Sequence, residues 1–292
     1  MKFAAFKYKN LYNWGLVDTN KKVVYPSSEI FKEKTPSDIL DFISNNKEYM
    51  SYFNNEYENG TGVNFENIEF IAPIPSPFRN IFCVGKNYLE HVKEVSKFDK
   101  SGANQKGYPA FFTKATGAVN GPFNNVPLHN GITSEVDYEG ELAVIIGRKG
   151  INISADSAMD YIFGFTILND VTARDLQRNH NQWFKGKSLD GFCPMGPWII
   201  TKDEFGDYKS LSIRTFVNGE IRQKACFNDM IVDISELINI LSQGLTLCPG
   251  DIIATGTPSG VGMGFDKPVY LKKGDLVRIE IDKIGYIENM FV

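Results

Sequence analysis

The chain has 292 residues, 42% hydrophobic and 23% charged, an ordinary balance for a globular protein that excludes a disordered chain. Lys and Arg number 31 against 35 Asp and Glu, a net charge of -4 with the signs well mixed, so no basic block exists to hold a nucleic-acid backbone. No stretch approaches the roughly 18 apolar residues of a spanning helix, and Met1-Lys2-Phe3-Ala4-Ala5-Phe6-Lys7 lacks the apolar run of a secretory signal, so the expectation is a cytoplasmic protein with no membrane partner.

Residues 1–75 read as a small N-terminal α/β unit. Gly15-Leu16-Val17-Asp18 and Lys22-Val23-Val24-Tyr25 form two strands around a polar turn, and an amphipathic helix is predicted over residues 37–45. An Asn- and Glu-rich segment over residues 53–67 then leads to the boundary signal Ala72-Pro73-Ile74-Pro75-Ser76-Pro77. From about residue 78 short β-branched runs alternate with Gly, Pro and Asn turns, which predicts a mainly β body over 76–292 and an α+β, mainly β chain overall. Within that body one helix is predicted over residues 232–242, where Ile234, Leu237, Ile238 and Leu241 fall at helical spacing. Cys83, Cys193, Cys226 and Cys248 form no CxxC pair, so neither a zinc ribbon nor a redox couple is expected, and reduced, mostly buried thiols are.

The first chemically suggestive segment is Asn87-Tyr88-Leu89-Glu90-His91-Val92-Lys93-Glu94. On a helix His91 and Glu94 stand three residues apart, so the carboxylate can orient the imidazole and raise its basicity, and an ordinary surface charge pair is the plain alternative. Of the other two histidines, His129 sits in a turn and His180 in a polar run, and both are expected to be solvated. Lys114 ends the apolar strand Ala110-Phe111-Phe112-Thr113 and is placed to reach into a cleft.

Glu139-Gly140-Glu141 runs directly into the apolar segment Leu142-Ala143-Val144-Ile145-Ile146. In an extended strand Glu139 and Glu141 share one face, and two carboxylates at the mouth of a buried segment need a cation between them or partners from elsewhere in the chain. Asp170 follows the apolar run Ile162-Phe163-Gly164-Phe165-Thr166-Ile167-Leu168. If a helix begins there, Asp170, Arg174 and Gln177 project from one face, though taken alone Asp170 reads first as its N-cap with Arg174 as its partner. Three carboxylates without His or Cys select a hard ion, Mg²⁺ or Mn²⁺, with Ca²⁺ possible in vitro. Lys187, in a Gly-containing loop, suits a substrate carboxylate or an oxyanion. The glycines of Thr255-Gly256-Thr257-Pro258-Ser259-Gly260-Val261-Gly262-Met263-Gly264 lack both GxGxxG and GK[ST] spacing, so the expectation is a substrate-cradling loop whose amides and Thr257 hydroxyl bind a carboxylate.

Taken in order, five segments of the chain resemble the fumarylacetoacetate hydrolase family: Ile81-Phe82-Cys83-Val84-Gly85-Lys86-Asn87-Tyr88 with His91, then Asp137 through Gly147, Asn169 through Asp175, Gly186-Lys187-Ser188 through Pro197, and Thr255 through Gly262. The match covers residues 78–292, with Lys86 standing where many members have Arg. The resemblance implies a mixed β-sandwich roll, usually a homodimer, with Mg²⁺ or Mn²⁺ held by Glu139, Glu141 and Asp170. It assigns His91 with Glu94 as a catalytic dyad on a lid, Lys187 as the catalytic lysine, and Arg174, Gln177 and Thr257 to the substrate pocket. The short N-terminal unit resembles that of the smaller bacterial members, including an oxaloacetate decarboxylase branch. The implied activity is cleavage of the C3–C4 bond of a small 2-oxo acid through a metal-stabilised enolate, by decarboxylation or by hydrolysis of an acylpyruvate. Isomerisation of a 2-hydroxymuconate-like diacid and a catalytically idle metabolite-binding regulator are the alternatives. The lid residues that read the substituent are expected within residues 95–108.

Overall fold

The computed structural model describes residues 1–53, 57, 60, 62–95 and 108–292, so most of residues 95–108, where lid residues are expected, lies outside the described residues. The chain opens with a hairpin, β1 (Lys2–Tyr8) and β2 (Leu11–Asp18), joined through Lys9 and Asn10, both at positive φ as a tight two-residue turn requires. β3 (Val23–Pro26) extends the hairpin, and α1 (Ile39–Ser44) covers it within the predicted helix, capped by Asp38, whose side chain accepts from Asp41 N. β1 was not expected as a strand. Phe3, Ala4, Ala5 and Phe6 are all buried, so both faces are apolar and the alternation that marks a half-exposed strand is missing.

The body adds β4 (Ile81–Gly85), α2 (Leu89–Val95), β5 (Ala110–Lys114), β6 (Gly140–Ile146), β7 (Ile162–Asn169), α3 (Arg174–Asn179), α4 (Phe184–Lys187) and β8 (Cys193–Thr201). β9 (Ser212–Val217), β10 (Glu220–Cys226), α5 (Ile234–Ser242), β11 (Ile252–Ala254), β12 (Leu276–Ile281) and β13 (Gly285–Met290) complete it. The central run of the main sheet is β3-β2-β1-β8-β7-β6-β11-β4-β5, so the N-terminal strands continue the same sheet through the pairing of Lys2 with Ile200 and Phe3 with Ile199. β10-β9-β12-β13 forms a second, four-stranded antiparallel sheet. No helix among the described residues is long and apolar enough to cross a membrane.

β6 shows how the layers stack. All seven of its residues are buried: Leu142, Val144 and Ile146 enter a core shared with Ile213 and Ile279 of the second sheet, while Ala143 and Ile145 enter a core shared with Phe3, Trp14 and Phe42. The side-chain period of two thus divides one strand between two cores.

α5 buries Ile234, Leu237, Ile238 and Leu241, the residues that predicted it, and begins after Asp233, whose side chain accepts from Glu236 N and pairs with Lys209 at 2.9 Å. Burial alone would raise the Asp233 pKa, but the Glu236 amide and Lys209 outweigh it and hold the carboxyl below its ordinary 3.8. A carboxyl depressed on folding adds stability above its unfolded pKa and loses it as pH falls through the folded value. Asp233→Ala is therefore expected to cost about 1 kcal/mol at neutral pH. In urea melts from pH 7 downward the difference from wild type should shrink once the pH drops below 3.8, and a pH-independent difference would contradict the assignment.

Candidate metal centre and cleft

The register of β6 against β7 assembles the acids. Gly140 pairs with Asn169 and Glu141 with Leu168, so Glu139 and Asp170 lie one step beyond the ladder, and Asp170 N donates to Glu139 O at 2.8 Å. Gly140 faces the second sheet, where any Cβ would run into Thr215, so Glu139 and Glu141 are carried on the opposite face. One carboxylate oxygen from each of Glu139, Glu141 and Asp170 lies within 4.8 Å of the others, and all three residues are buried.

Asp170 is not a helix cap. The chain stays extended through Thr172–Ala173, which pair with Val136–Asp137, and α3 begins only at Arg174. Arg174 consequently turns to other partners, Asp137 at 2.9 Å and Glu139 at 2.7 Å, and its Nη1 also donates to Gln177 Oε1 at 3.1 Å. Lys187 ends a short helix rather than lying in a solvated loop. It is buried, with Nζ 2.7 Å from Glu139 Oε2, 2.8 Å from Asp170 Oδ2 and 5.0 Å above the Phe112 ring. Lys114 is also buried, but its Nζ goes to Asp170 Oδ1 at 2.6 Å and to Val171 O at 3.0 Å, and it does not line the cleft. The sequence placed Lys114 to reach into a cleft, and in the structure it secures Asp170 from behind.

Four buried carboxylates, of Asp137, Glu139, Glu141 and Asp170, thus face three buried cations. Burial would raise the Glu139 pKa, but Lys187, Arg174 and His91 outweigh it and bring it to about 2. Glu141 goes the other way: burial, then Asp170 and Glu139 beside it, drive its pKa well above the usual carboxylate range. Among the described residues it pairs with no cation, and its hydrogen bond comes from Gly256 N at 2.8 Å. Lys187 is pushed down by burial and more strongly up by Asp170 and Glu139, so it stays a charged ammonium. An all-oxygen donor set with one carboxylate lacking a counter-charge fits a hard divalent ion.

Of these groups Glu139, Glu141, Arg174 and Lys187 line a cleft of about 360 Å³, together with Phe112, Trp183 and Met263. A larger hollow of about 1020 Å³, lined by Phe42, Lys47, Arg148, Phe163 and Lys202, contains none of Asp137, Glu139, Glu141 and Asp170. His91 lines the cleft from α2, and its Nδ1 is 3.2 Å from Glu94 Oε2. A carboxylate can only accept there, so the neutral ring carries its proton on Nδ1 and its lone pair on Nε2. Arg174, Gln177 and Thr257 line the cleft, and His180, although exposed, borders it too.

The glycine-rich loop does not keep its amides for substrate. Gly256 N donates to Glu141, Gly260 N to Glu94 at 2.9 Å, and Gly262 N and Met263 N to the two oxygens of Asp137 at 2.7 and 3.0 Å. The Thr257 hydroxyl donates to Gly140 O and accepts from Gln223 Nε2, so its proton is committed inside the protein. The loop cradles the protein's own carboxylates. Asp137 and Gln223 were missed as site residues. Asp137 stands two residues before Glu139, so strand period would have placed it on the same face, whereas Gln223 arrives from β10 with no local signal. Cys193 is buried packing, its thiol pushed up to about 12 by burial.

Two outcomes test the charge arrangement. Lys114→Met leaves Asp170 short of a buried counter-charge and should lower unfolding free energy by about 3–5 kcal/mol in urea; a loss below 1 kcal/mol would remove the role given to Lys114. Mn²⁺ at about a hundred times its Kd should stabilise the EDTA-stripped protein by about 2.7 kcal/mol in thermal melts, and Glu141→Ala should abolish most of that shift. An equal shift in both proteins would place the ion elsewhere.

Residues 80–292 match the fumarylacetoacetate (FAA) hydrolase C-terminal family. Over 302 aligned positions, covering 99% of both chains, the protein is 42% identical to oxaloacetate tautomerase YisK of Bacillus subtilis. Among solved structures it is similar to the fumarylacetoacetate hydrolase of the psychrophile Exiguobacterium antarcticum, with a TM-score of 0.85 and 38% identity over 100% of this chain and 99% of that one. It is also similar to maleylpyruvate hydrolase from Sphingobium sp. SYK-6 in complex with manganese(II) and pyruvate, with a TM-score of 0.81 and 29% identity over 100% of this chain and 99% of that one. With a full-length relative and a family match spanning most of the chain, the protein belongs to the fumarylacetoacetate hydrolase family.

Proposed function

We propose that the protein is a divalent-metal-dependent enzyme that moves a proton at C3 of a small 2-oxo diacid, with keto–enol tautomerisation of oxaloacetate as its reaction. The observation that carries this reading is the convergence of Glu139, Glu141 and Asp170 at a cleft that Glu139 and Glu141 line together with a buried histidine oriented by a carboxylate. Full-length similarity to an oxaloacetate tautomerase supports the choice of reaction over the bond cleavage that the sequence alone favoured. Mg²⁺ or Mn²⁺ held by the three acids supplies Lewis acidity toward the oxygens of a 2-oxo acid.

The remaining chemistry falls to the chain's own side chains. Arg174 lines the cleft and its buried Nη2 lacks a hydrogen-bond partner among the described residues, so a substrate carboxylate satisfies a donor that is otherwise costly to bury. Lys187, held charged by Asp170 and Glu139, stabilises negative charge developing on the substrate's oxygen. His91 Nε2 takes a proton from C3 of the keto form as the C2 oxygen gains one from solvent, and in the reverse direction it returns the proton to C3 as the enol oxygen gives its own to solvent, while Glu94 keeps the ring in the required tautomer. Phe112, Trp183 and Met263 keep the cleft wall apolar, which strengthens each of these interactions. No described residue of the N-terminal unit, residues 1–75, lines the cleft, and its proposed role is structural.

A second reading, cleavage of C3–C4 by hydrolysis or decarboxylation, is favoured by the similarity to a maleylpyruvate hydrolase seen with manganese and pyruvate. Purified protein with Mn²⁺ and freshly dissolved enol oxaloacetate distinguishes the two. Faster decay of the enol absorbance without pyruvate supports tautomerisation, whereas pyruvate from oxaloacetate or from an acylpyruvate supports cleavage. Neither signal, with metal present, ends both readings. His91→Ala should lower turnover by about 10²–10⁴-fold and leave binding of oxalate nearly intact, as calorimetry would register.

A further inference from the structure

We propose that Gly264 is a positioning residue: the absence of a side chain there lets Glu94 adopt the one conformation that serves His91. This rests on the reading of His91 with Glu94 as the proton-transfer pair. Glu94 divides its two oxygens, Oε2 lying 3.2 Å from His91 Nδ1 and Oε1 accepting from Gly260 N at 2.9 Å. Gly260 has φ of 104°, a left-handed conformation that suits glycine, and a Cβ there would strike Arg222 O, so the orientation of that amide depends on the residue type. Around the bond Val95, Val261 and Met263 form a small apolar cluster of their own, separate from both main cores.

Gly264 sits where this arrangement closes. A Cβ built on it would fall on the Cγ, Cδ and Oε1 atoms of Glu94, far inside van der Waals contact. What stands in the way is the end of a flexible side chain rather than backbone, so a methyl group at 264 can be accommodated by swinging Glu94 aside while the fold persists. The same swing breaks the bonds to Gly260 N and His91. The root of α2 is held independently, because Asn87 Nδ2 donates to Val232 O and Thr255 O and its Oδ1 accepts from Val232 N. Displacing Glu94 therefore leaves His91 in the cleft but without the partner that sets its tautomer.

The test compares Gly264→Ala, Glu94→Ala and the double variant, using ¹⁵N-histidine labelling with His91 assigned by its disappearance in His91→Asn. In Gly264→Ala the His91 ring signals should move to their positions in Glu94→Ala. With oxaloacetate, kcat should fall roughly tenfold or more with KM changed far less. The Mn²⁺-induced melting shift should stay at its wild-type size. The double variant should be no worse than Glu94→Ala, because the methyl then has nothing to displace. Wild-type His91 signals in Gly264→Ala, or additive losses in the double variant, would overturn the proposal. Should Gly264→Ala fail to fold, recovery of folding in the double variant supports the steric link and its absence overturns it. The spectra need no turnover, so failure of the proposed reaction is seen separately, as inactivity of the wild-type protein.

Discussion

Carboxylates that share a buried site repel one another and lose their hydration, and this protein brings four of them, Asp137, Glu139, Glu141 and Asp170, to the open ends of two central strands. Much of the surrounding structure answers that concentration of charge. Lys114 supports Asp170, Lys187 bridges Asp170 and Glu139, and Arg174 joins Glu139 to Asp137. Main-chain amides of the glycine-rich loop serve Glu141 and Asp137. Among the described residues the set remains one cation short at Glu141, which is the physical reason the site suits a divalent ion.

The architecture makes such a site possible because β6 is covered on both sides. The second sheet presses on the face that carries Gly140, while Ala143 and Ile145 pack toward the N-terminal strands on the other. The Glu-Gly-Glu spacing is thus a packing requirement and a chemical one at once. A larger residue at 140 would lift the second sheet from the strand, and a one-residue slip of register would turn both glutamates into that sheet.

The glycine-rich loop has a related role. Its sequence resembles a ligand cradle, yet its amides are taken by the protein's own acids, drawn from α2, from β6 and from the strand-like segment before it. One loop therefore sets the positions of a metal-ligand candidate, of the histidine's partner and, through Asp137, of Arg174. This explains why its glycines are placed by contact with neighbouring chain segments rather than by a phosphate-binding pattern.

Local order was readable wherever one residue's chemistry or a short period sufficed. The Glu139-Gly140-Glu141 face, the His91–Glu94 spacing, the apolar stripe of α5 and the turn-separated strands of the body all express side-chain geometry within a few residues, and the ordered motifs expressed the family. What sequence could not determine was set by partners far along the chain. β1 is apolar on both faces because it lies within the sheet, so its period vanished. Asp170 lost its expected capping role because Thr172–Ala173 paired with Val136–Asp137 and delayed the helix. Lys114 and Lys187, alike as sequence, parted only when the fold put one behind Asp170 and the other between two acids in the cleft. Charge pairing in a buried site depends on which groups the sheet register brings within a few ångströms, and that distance is a property of the tertiary structure.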